Sequence, residues 1–262
     1  MEKIVLLFGA SSGIGLASAK IFLEQGCQVI NCSRHPAPDS RIKNYQVDTA
    51  HCATIDTAVK EIENSFGRID IMIYCSGTSM AAPIDKVLQT DYKYLFDVNL
   101  LGAIYATQKV INVMKKQCSG GRIVLIGSLA SVAPIPYDPY YCASKAALNA
   151  FTVALATEIE RYGISICNVL PGGTKTGFSF VRKVYEANDD NLVKASQALA
   201  KQEQNGMTAE SVAKRVYKSA TAKHPPLIAV AGVKNKIFYF SCKLMPVKLL
   251  KRAIQTIFNI KK

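Results

Sequence analysis

Tyr141 and Lys145 stand four residues apart in the run Tyr141-Cys142-Ala143-Ser144-Lys145, so on a helix the phenol and the ammonium share one face. An unperturbed tyrosine titrates near ~10 and is a poor acid-base catalyst at neutral pH. A neighbouring ammonium favours phenolate and moves the pKa toward the working range. Tyr137 and Tyr140 lack a lysine at that spacing. Taken alone, such a pair also arises by chance on amphipathic helices, so a second feature is needed.

That feature is the run Gly9-Ala10-Ser11-Ser12-Gly13-Ile14-Gly15, between an apolar stretch and an amphipathic one. A pyrophosphate needs backbone N–H groups at a positive helix end, and glycines there permit the tight turn and remove Cβ atoms that would block the phosphates. Glycine-rich turns also occur for packing alone; the β-α-β setting favours the nucleotide. Eighteen residues after Gly15, where an NAD-binding chain usually carries an acid for the ribose hydroxyls, stand Ser33 and Arg34. A guanidinium can bond a 2′-phosphate that a carboxylate would repel, which favours NADP(H) over NAD(H). Asp48, after Tyr45-Gln46-Val47, is placed to hydrogen-bond the adenine amino group.

Short apolar runs alternate with helix-like stretches, the pattern of β-α-β units that build a parallel sheet. Strands are expected at 4–8, 28–32, 69–75, 122–126, 164–170 and 227–230, with crossover helices such as 14–25, 91–116 and 143–162. The stretch 176–207 is polar and helix-prone without a strong apolar stripe, and reads as a mobile flap beside the site; Thr208-Ala209-Glu210 opens another helix. After the last strand, residues 233–262 interleave apolar clusters with lysines, and Pro246 breaks them in two.

In order along the chain, the glycine loop ending at Gly15, Asn99 in Asp97-Val98-Asn99, Ser128 thirteen residues before Tyr141, the Tyr141/Lys145 pair and Pro171-Gly172 after a late strand together resemble the short-chain dehydrogenase/reductase family over about residues 1–232. The resemblance implies one Rossmann-type α/β domain, doubly wound on a parallel sheet of about seven strands, with 233–262 as a C-terminal helical extension. It implies a tetrad of Asn99, Ser128, Tyr141 and Lys145. Tyr141 passes a proton to the carbonyl oxygen as hydride arrives, Ser128 bonds the same oxygen, Lys145 lowers the phenol's pKa and holds the nicotinamide ribose, and Asn99 supports a relaying water. Around the cofactor it implies contacts from Cys75, Gly77 and Thr174 besides the loop. Three departures stand out: Phe8 replaces a usual Thr, Tyr74-Cys75-Ser76-Gly77 replaces Asn-Asn-Ala-Gly, and Gly173-Thr174 follow Pro171-Gly172 where Val or Ile is common, though Thr176 keeps the family's hydroxyl. None touches the tetrad.

The formal charge of +13 does not indicate nucleic acid, because it is not spread along the chain. Through Glu210 there are 20 Lys/Arg against all 19 Asp/Glu; the last 52 residues hold 12 Lys/Arg and no acid. The eight cysteines form no C-x-x-C pair, and His35, His51 and His224 are isolated, so neither a metal site nor a disulfide framework is expected. The run 4–8 is too short for a signal sequence and reads as a first strand, which implies a reducing, cytoplasmic setting.

These features favour an NADP(H)-dependent interconversion of a secondary alcohol and a ketone. An intact tetrad argues against the alternative of a non-catalytic NADP(H)-binding regulator. The apolar, basic tail resembles that of family members acting on steroid- or lipid-like alcohols, with a small-carbonyl or 3-oxoacyl thioester reductase as the other enzymatic reading. The tail is either a packed lid or a peripheral membrane contact. By obstructing one of the family's two interfaces, it would leave a homodimer built on 91–116 and 143–162.

Overall fold

The computed structural model describes residues 2–117, 119–178, 182–185 and 188–260; parts of the expected flap (179–181 and 186–187) and the tail's last two residues lie outside the described residues. Ile4–Phe8 forms β1, every side chain of which is buried, as a strand covered on both faces requires. The chain continues through α1 (Gly13–Glu24), β2 (Gln28–Ser33), β3 (Lys43–Gln46), α2 (Cys52–Phe66), β4 (Ile71–Tyr74) and the two-residue β5 (Met80–Ala81). Next come α3 (Gln89–Phe96), α4 (Gly102–Lys116), β6 (Gly121–Ile126), α5 (Pro139–Ile159) and β7 (Ile164–Leu170). Short strands β8 (Thr174–Lys175) and β9 (Lys183–Val184) precede α6 (Asp190–Gln204), β10 (Met207–Thr208), α7 (Ala209–Thr221), β11 (Ile228–Val230), α8 (Val233–Leu244) and α9 (Val247–Ile257).

Seven strands form one parallel sheet in the order β11-β7-β6-β4-β1-β2-β3. Val110, Ile62 and Leu148, from α4, α2 and α5, pack on one face of the sheet, and Phe22 and Val216, from α1 and α7, on the other. The strand order reverses beside β1, where β2 departs to one side and β4 to the other, so a crevice opens at the carboxyl ends of those strands. Since all seven run parallel, the loops after β1, β4, β6 and β7 emerge on the same side, which gathers distant sequence segments at one rim.

Six of the seven strands coincide with the apolar runs, two of them residue for residue. The seventh, β3, has the polar sequence KNYQ and is mostly exposed at the sheet edge, so no apolar run marks it. The helix expected over 91–116 begins at Gln89 and is interrupted by one π-helical turn, Asp97–Leu101; such turns are single-residue bulges that recur at functional positions. The helix expected from Ala143 starts four residues earlier, at Pro139, a residue whose fixed φ and missing N–H suit a first helical position.

Two further differences concern 176–207. Where no strong apolar stripe was expected, α6 buries Leu192, Ala195 and Leu199, spaced to share one face. Its start is fixed by Asp189, whose carboxylate accepts from the backbone N–H groups of Asn191 and Leu192. Thr208 caps α7 in the same way, accepting from Ser211 N, and the tail divides into α8 and α9 at Pro246.

Candidate active site

The loop after β1 turns sharply enough to demand its glycines. Gly9 has φ +89°, and a Cβ there would come within 2.9 Å of Ser76 N; a Cβ on Gly15 would lie 2.0 Å from Gly9 O. Gly13 opens α1 at φ +54°, and Ser11, Ser12 and Ile14 complete a cradle at the positive end of that helix. Where Phe8 leaves no hydroxyl to brace the loop, Asn31 takes over. Buried on β2, it accepts from Ala10 N (2.9 Å) and donates to Asn44 Oδ1 (2.8 Å). Sequence reasoning missed Asn31, since nothing marks one strand asparagine as a brace until β1 and β2 pair.

At the end of β2, Ser33 Oγ donates to His35 O (2.6 Å). Exposed Arg34 donates from Nη1 to Tyr94 Oη (2.9 Å), which holds the guanidinium at the rim of the cleft. Asp48 also lines the cleft, with Oδ1 accepting from Ala50 N (3.0 Å). Cys75 follows β4; burial pushes its thiol up to about 12 and the charge of Lys145 opposes the rise. Gly77 comes so close to the centre that a Cβ there would lie 3.5 Å from Asn99 Oδ1 and 3.7 Å from Lys145 Nζ. Thr174 is buried on β8 and donates to Gly172 O (2.9 Å).

The four tetrad positions converge. Asn99 sits on the π-helical turn, fully buried. Its Oδ1 accepts from Thr78 N (2.8 Å), and its Nδ2 donates to Thr78 O (2.8 Å) and Ser144 Oγ (3.2 Å), tying the α3–α4 junction to the loop after β4 and to α5. Lys145 Nζ donates to Ile126 O at the end of β6 (2.9 Å) and lies 5.7 Å from the centroid of the Tyr141 ring. Burial disfavours its charge and brings its pKa down to about 8. Ser128 accepts from Ala130 N (3.1 Å), which fixes the turn after β6.

Burial pushes the Tyr141 phenol above its ordinary value; the main opposing influence is hydrogen bonding with Ser128. The Lys145 ammonium is turned to the Ile126 carbonyl, while the serine hydroxyl faces the phenol.

The cleft, about 1230 Å³, is large enough for a dinucleotide with a second molecule beside it. Beyond Tyr141 its wall becomes apolar, with Phe178, Leu199, Phe238, Ile254, Ile257 and Phe258. The last four come from the tail, so α8 and α9 contribute to the wall of the cleft.

One polar cluster in this wall was not legible in the sequence. Asp138 is almost completely buried and accepts from Ser79 Oγ (2.7 Å); Arg182 donates from Nε to Ser79 Oγ (3.1 Å) and pairs with Glu203. Burial raises the Asp138 carboxyl to about 7, against the hydrogen bond from Ser79. These residues come from four separate segments, and only the step from Asp138 into Pro139 carries a local signal, that of a helix start.

Residues 3–184 match the family model described as short chain dehydrogenase. Over 99% of this chain and 99% of the relative's length, the sequence is 27% identical to a 3-ketodihydrosphingosine reductase of Bacteroides thetaiotaomicron. The fold is shared with a short chain dehydrogenase/reductase from Burkholderia phymatum in complex with NAD (TM-score 0.82, 17% identity, 93% of this chain and 92% of that one). It is shared also with ElxO with NADP bound (TM-score 0.73, 25% identity, 88% of this chain and 97% of that one).

Proposed function

The chain belongs to the short-chain dehydrogenase/reductase family, an oxidoreductase family that works with a nicotinamide cofactor, and from that premise we propose that it is an NADP(H)-dependent reductase of a long-chain, lipid-like ketone to the secondary alcohol. The observation that carries the reading is the juxtaposition of Tyr141, Ser128 and Lys145 with an apolar wall supplied by the tail. The 3-ketodihydrosphingosine reductase, matched end to end, supports a lipid-like substrate over a small carbonyl compound.

The nucleotide would lie with its pyrophosphate on the N–H groups of Ser11, Ser12, Gly13 and Ile14, its 2′-phosphate toward Ser33 and Arg34, and its adenine toward Asp48. Cys75, Gly77 and Thr174 would line its further course. When bound, it supplies the hydride for the carbonyl carbon. The chain's own groups do the rest. Tyr141 donates its Oη proton to the carbonyl oxygen, and its protonated state suits a donor. Ser128 holds the same oxygen in line. Lys145, anchored on Ile126, grips the ribose and adds positive charge as the phenolate forms. Asn99 holds the loop after β4 and the π-helical turn in place, and supports the water that returns a proton to Tyr141. Residues 1–232 form the catalytic unit and 233–262 its cover. Exposed Leu101 and Val153, on the π-helical turn before α4 and on α5, suit a homodimer through the two long helices.

The test is NADPH oxidation with 3-ketodihydrosphingosine, long-chain ketones and small diketones. The long-chain substrates should give the higher kcat/KM, and Tyr141→Phe should lower turnover by at least ~10²-fold while nucleotide binding, read by fluorescence titration, is kept. Parent-level turnover in that variant would remove Tyr141 from the proton step. Tight NADPH binding with no turnover on any ketone would favour a regulator.

A further inference from the structure

Helix α8 presents an apolar stripe to solvent. Val233, Ile237, Phe240 and Leu244 are 74%, 66%, 60% and 84% exposed. At about 100° per residue these four positions fall within roughly 60° of arc, so they form one continuous strip along the helix. The opposite face, with Tyr239 and Cys242, is the one that packs inward. The strip is prolonged past Pro246 by Val247 and Leu249, both exposed. Lys234, Lys236, Lys243, Lys248, Lys251 and Arg252 are exposed around it, and no Asp or Glu follows Glu210 in the chain.

An apolar strip of this length normally finds cover. Charge decides what covers it. A second copy docked strip to strip would bring two sets of lysines together with no acid from either tail to pair them. An anionic bilayer instead offers both the apolar depth for the strip and negative headgroups for its basic margins. No described helix is long and apolar enough to cross a membrane, so the contact lies in the plane of the interface.

We propose that α8 and the start of α9 dock on the surface of an anionic lipid bilayer, with Ile237, Phe240 and Leu244 inserted among the headgroups and the lysines on the phosphates. Val233 both begins the strip and lines the cleft, as Phe238 does one position beyond Ile237. The docked surface is therefore continuous with the apolar end of the cleft, and a lipid-like ketone could pass between bilayer and site without crossing water. That advantage rests on the substrate reading above; the docking itself does not.

The test is co-sedimentation of the full chain with vesicles of equal parts phosphatidylglycerol and phosphatidylcholine, against phosphatidylcholine alone. Partitioning should be at least ~10-fold stronger on the anionic vesicles at low salt and should weaken as salt is added. The triple variant Ile237→Glu, Phe240→Glu, Leu244→Glu should lose it while keeping turnover of a short, soluble ketone, since none of the three lines the cleft. No partitioning by the parent, or equal partitioning on both vesicles, overturns the proposal. So does a triple variant that keeps vesicle binding or that merely dissociates a dimer in sedimentation velocity. Vesicle binding is read without turnover, so a failed substrate reading leaves its outcome interpretable.

Discussion

Among the described residues Arg34 is the exposed cation at the end of β2, held on the rim of the cleft by its link to Tyr94, and the proposed NADP(H) reading gives it the 2′-phosphate. A charge-assisted hydrogen bond is worth roughly 1.5 to 3 kcal/mol, so Arg34→Ala should raise KM for NADPH about 10- to 100-fold and leave KM for NADH nearly unchanged. Equal use of both nucleotides by the parent enzyme would refute the assignment. Asp138 makes a prediction about pH. Its carboxyl is raised to about 7 from an ordinary value near 4, so the folded state holds a proton that the unfolded chain releases. Stability from this group is complete below about pH 4 and declines as pH rises toward 7. Asp138→Asn should remove that decline. The melting temperature of the variant should fall less between pH 5 and 8 than that of the parent, by at least ~3 °C, the scale of 1 kcal/mol in a chain of this size. Identical pH dependence in both proteins would show that Asp138 is ionised in the fold.

At the scale of elements, α9 is the part whose removal separates chemistry from substrate grip. It contributes Ile254 and Ile257 to the apolar end of the cleft, with Phe258 following directly, and no member of the tetrad. Ending the chain after Met245 should raise KM for a long-chain ketone by ~10-fold or more, because several buried apolar contacts at about 1.5–3 kcal/mol each are lost. NADPH affinity and kcat on a short ketone should stay within about twofold. Unaltered kinetics on the long-chain ketone would take α9 out of the site. The π-helical turn is the second telling element. Asn99 occupies it and makes three hydrogen bonds to Thr78 and Ser144, so the bulge serves as the joint between α3, α4 and the loop after β4. The amphipathic stretch 91–116 reads as one uninterrupted helix, because a π turn changes the register by one residue and leaves no compositional trace.

For the molecule as a whole, the expected assembly follows from which faces are covered. Helices α4 and α5 pack on one face of the sheet with Leu101, on the turn before α4, and Val153 exposed, while α8 and α9, which contribute to the cleft wall, carry exposed lysines. A dimer through the long helices is expected, and light scattering at micromolar concentration should give twice the chain mass. A tetramer would mean that the tail does not obstruct a second interface. Replacing Val153 with Glu on the exposed face of α5 should shift the protein toward monomer, since an unpaired charge at a packed apolar contact is costly.

What the sequence alone determined is whatever depends on local order. Apolar runs bounded by Gly, Ser and Pro marked six strands of the sheet, because a strand buried on both faces must be apolar throughout. The glycine loop and the Tyr141/Lys145 spacing were legible because a tight turn and one turn of helix each constrain residues only a few positions apart. Pro246 likewise announced the break between α8 and α9. Tertiary structure alone decided the rest. The polar edge strand β3 exists because β2 offers it a partner. Asn31 braces the phosphate loop only once β1 and β2 lie side by side. The Asp138, Ser79, Arg182 and Glu203 cluster joins segments up to 124 positions apart. The direction in which Tyr141 titrates was also beyond the sequence, since burial and the aim of a neighbouring hydroxyl are properties of the folded environment. Spacing along a chain fixes neighbours within a turn or a strand, whereas burial, charge pairing and the cover of an apolar face depend on which distant surfaces the fold brings into contact.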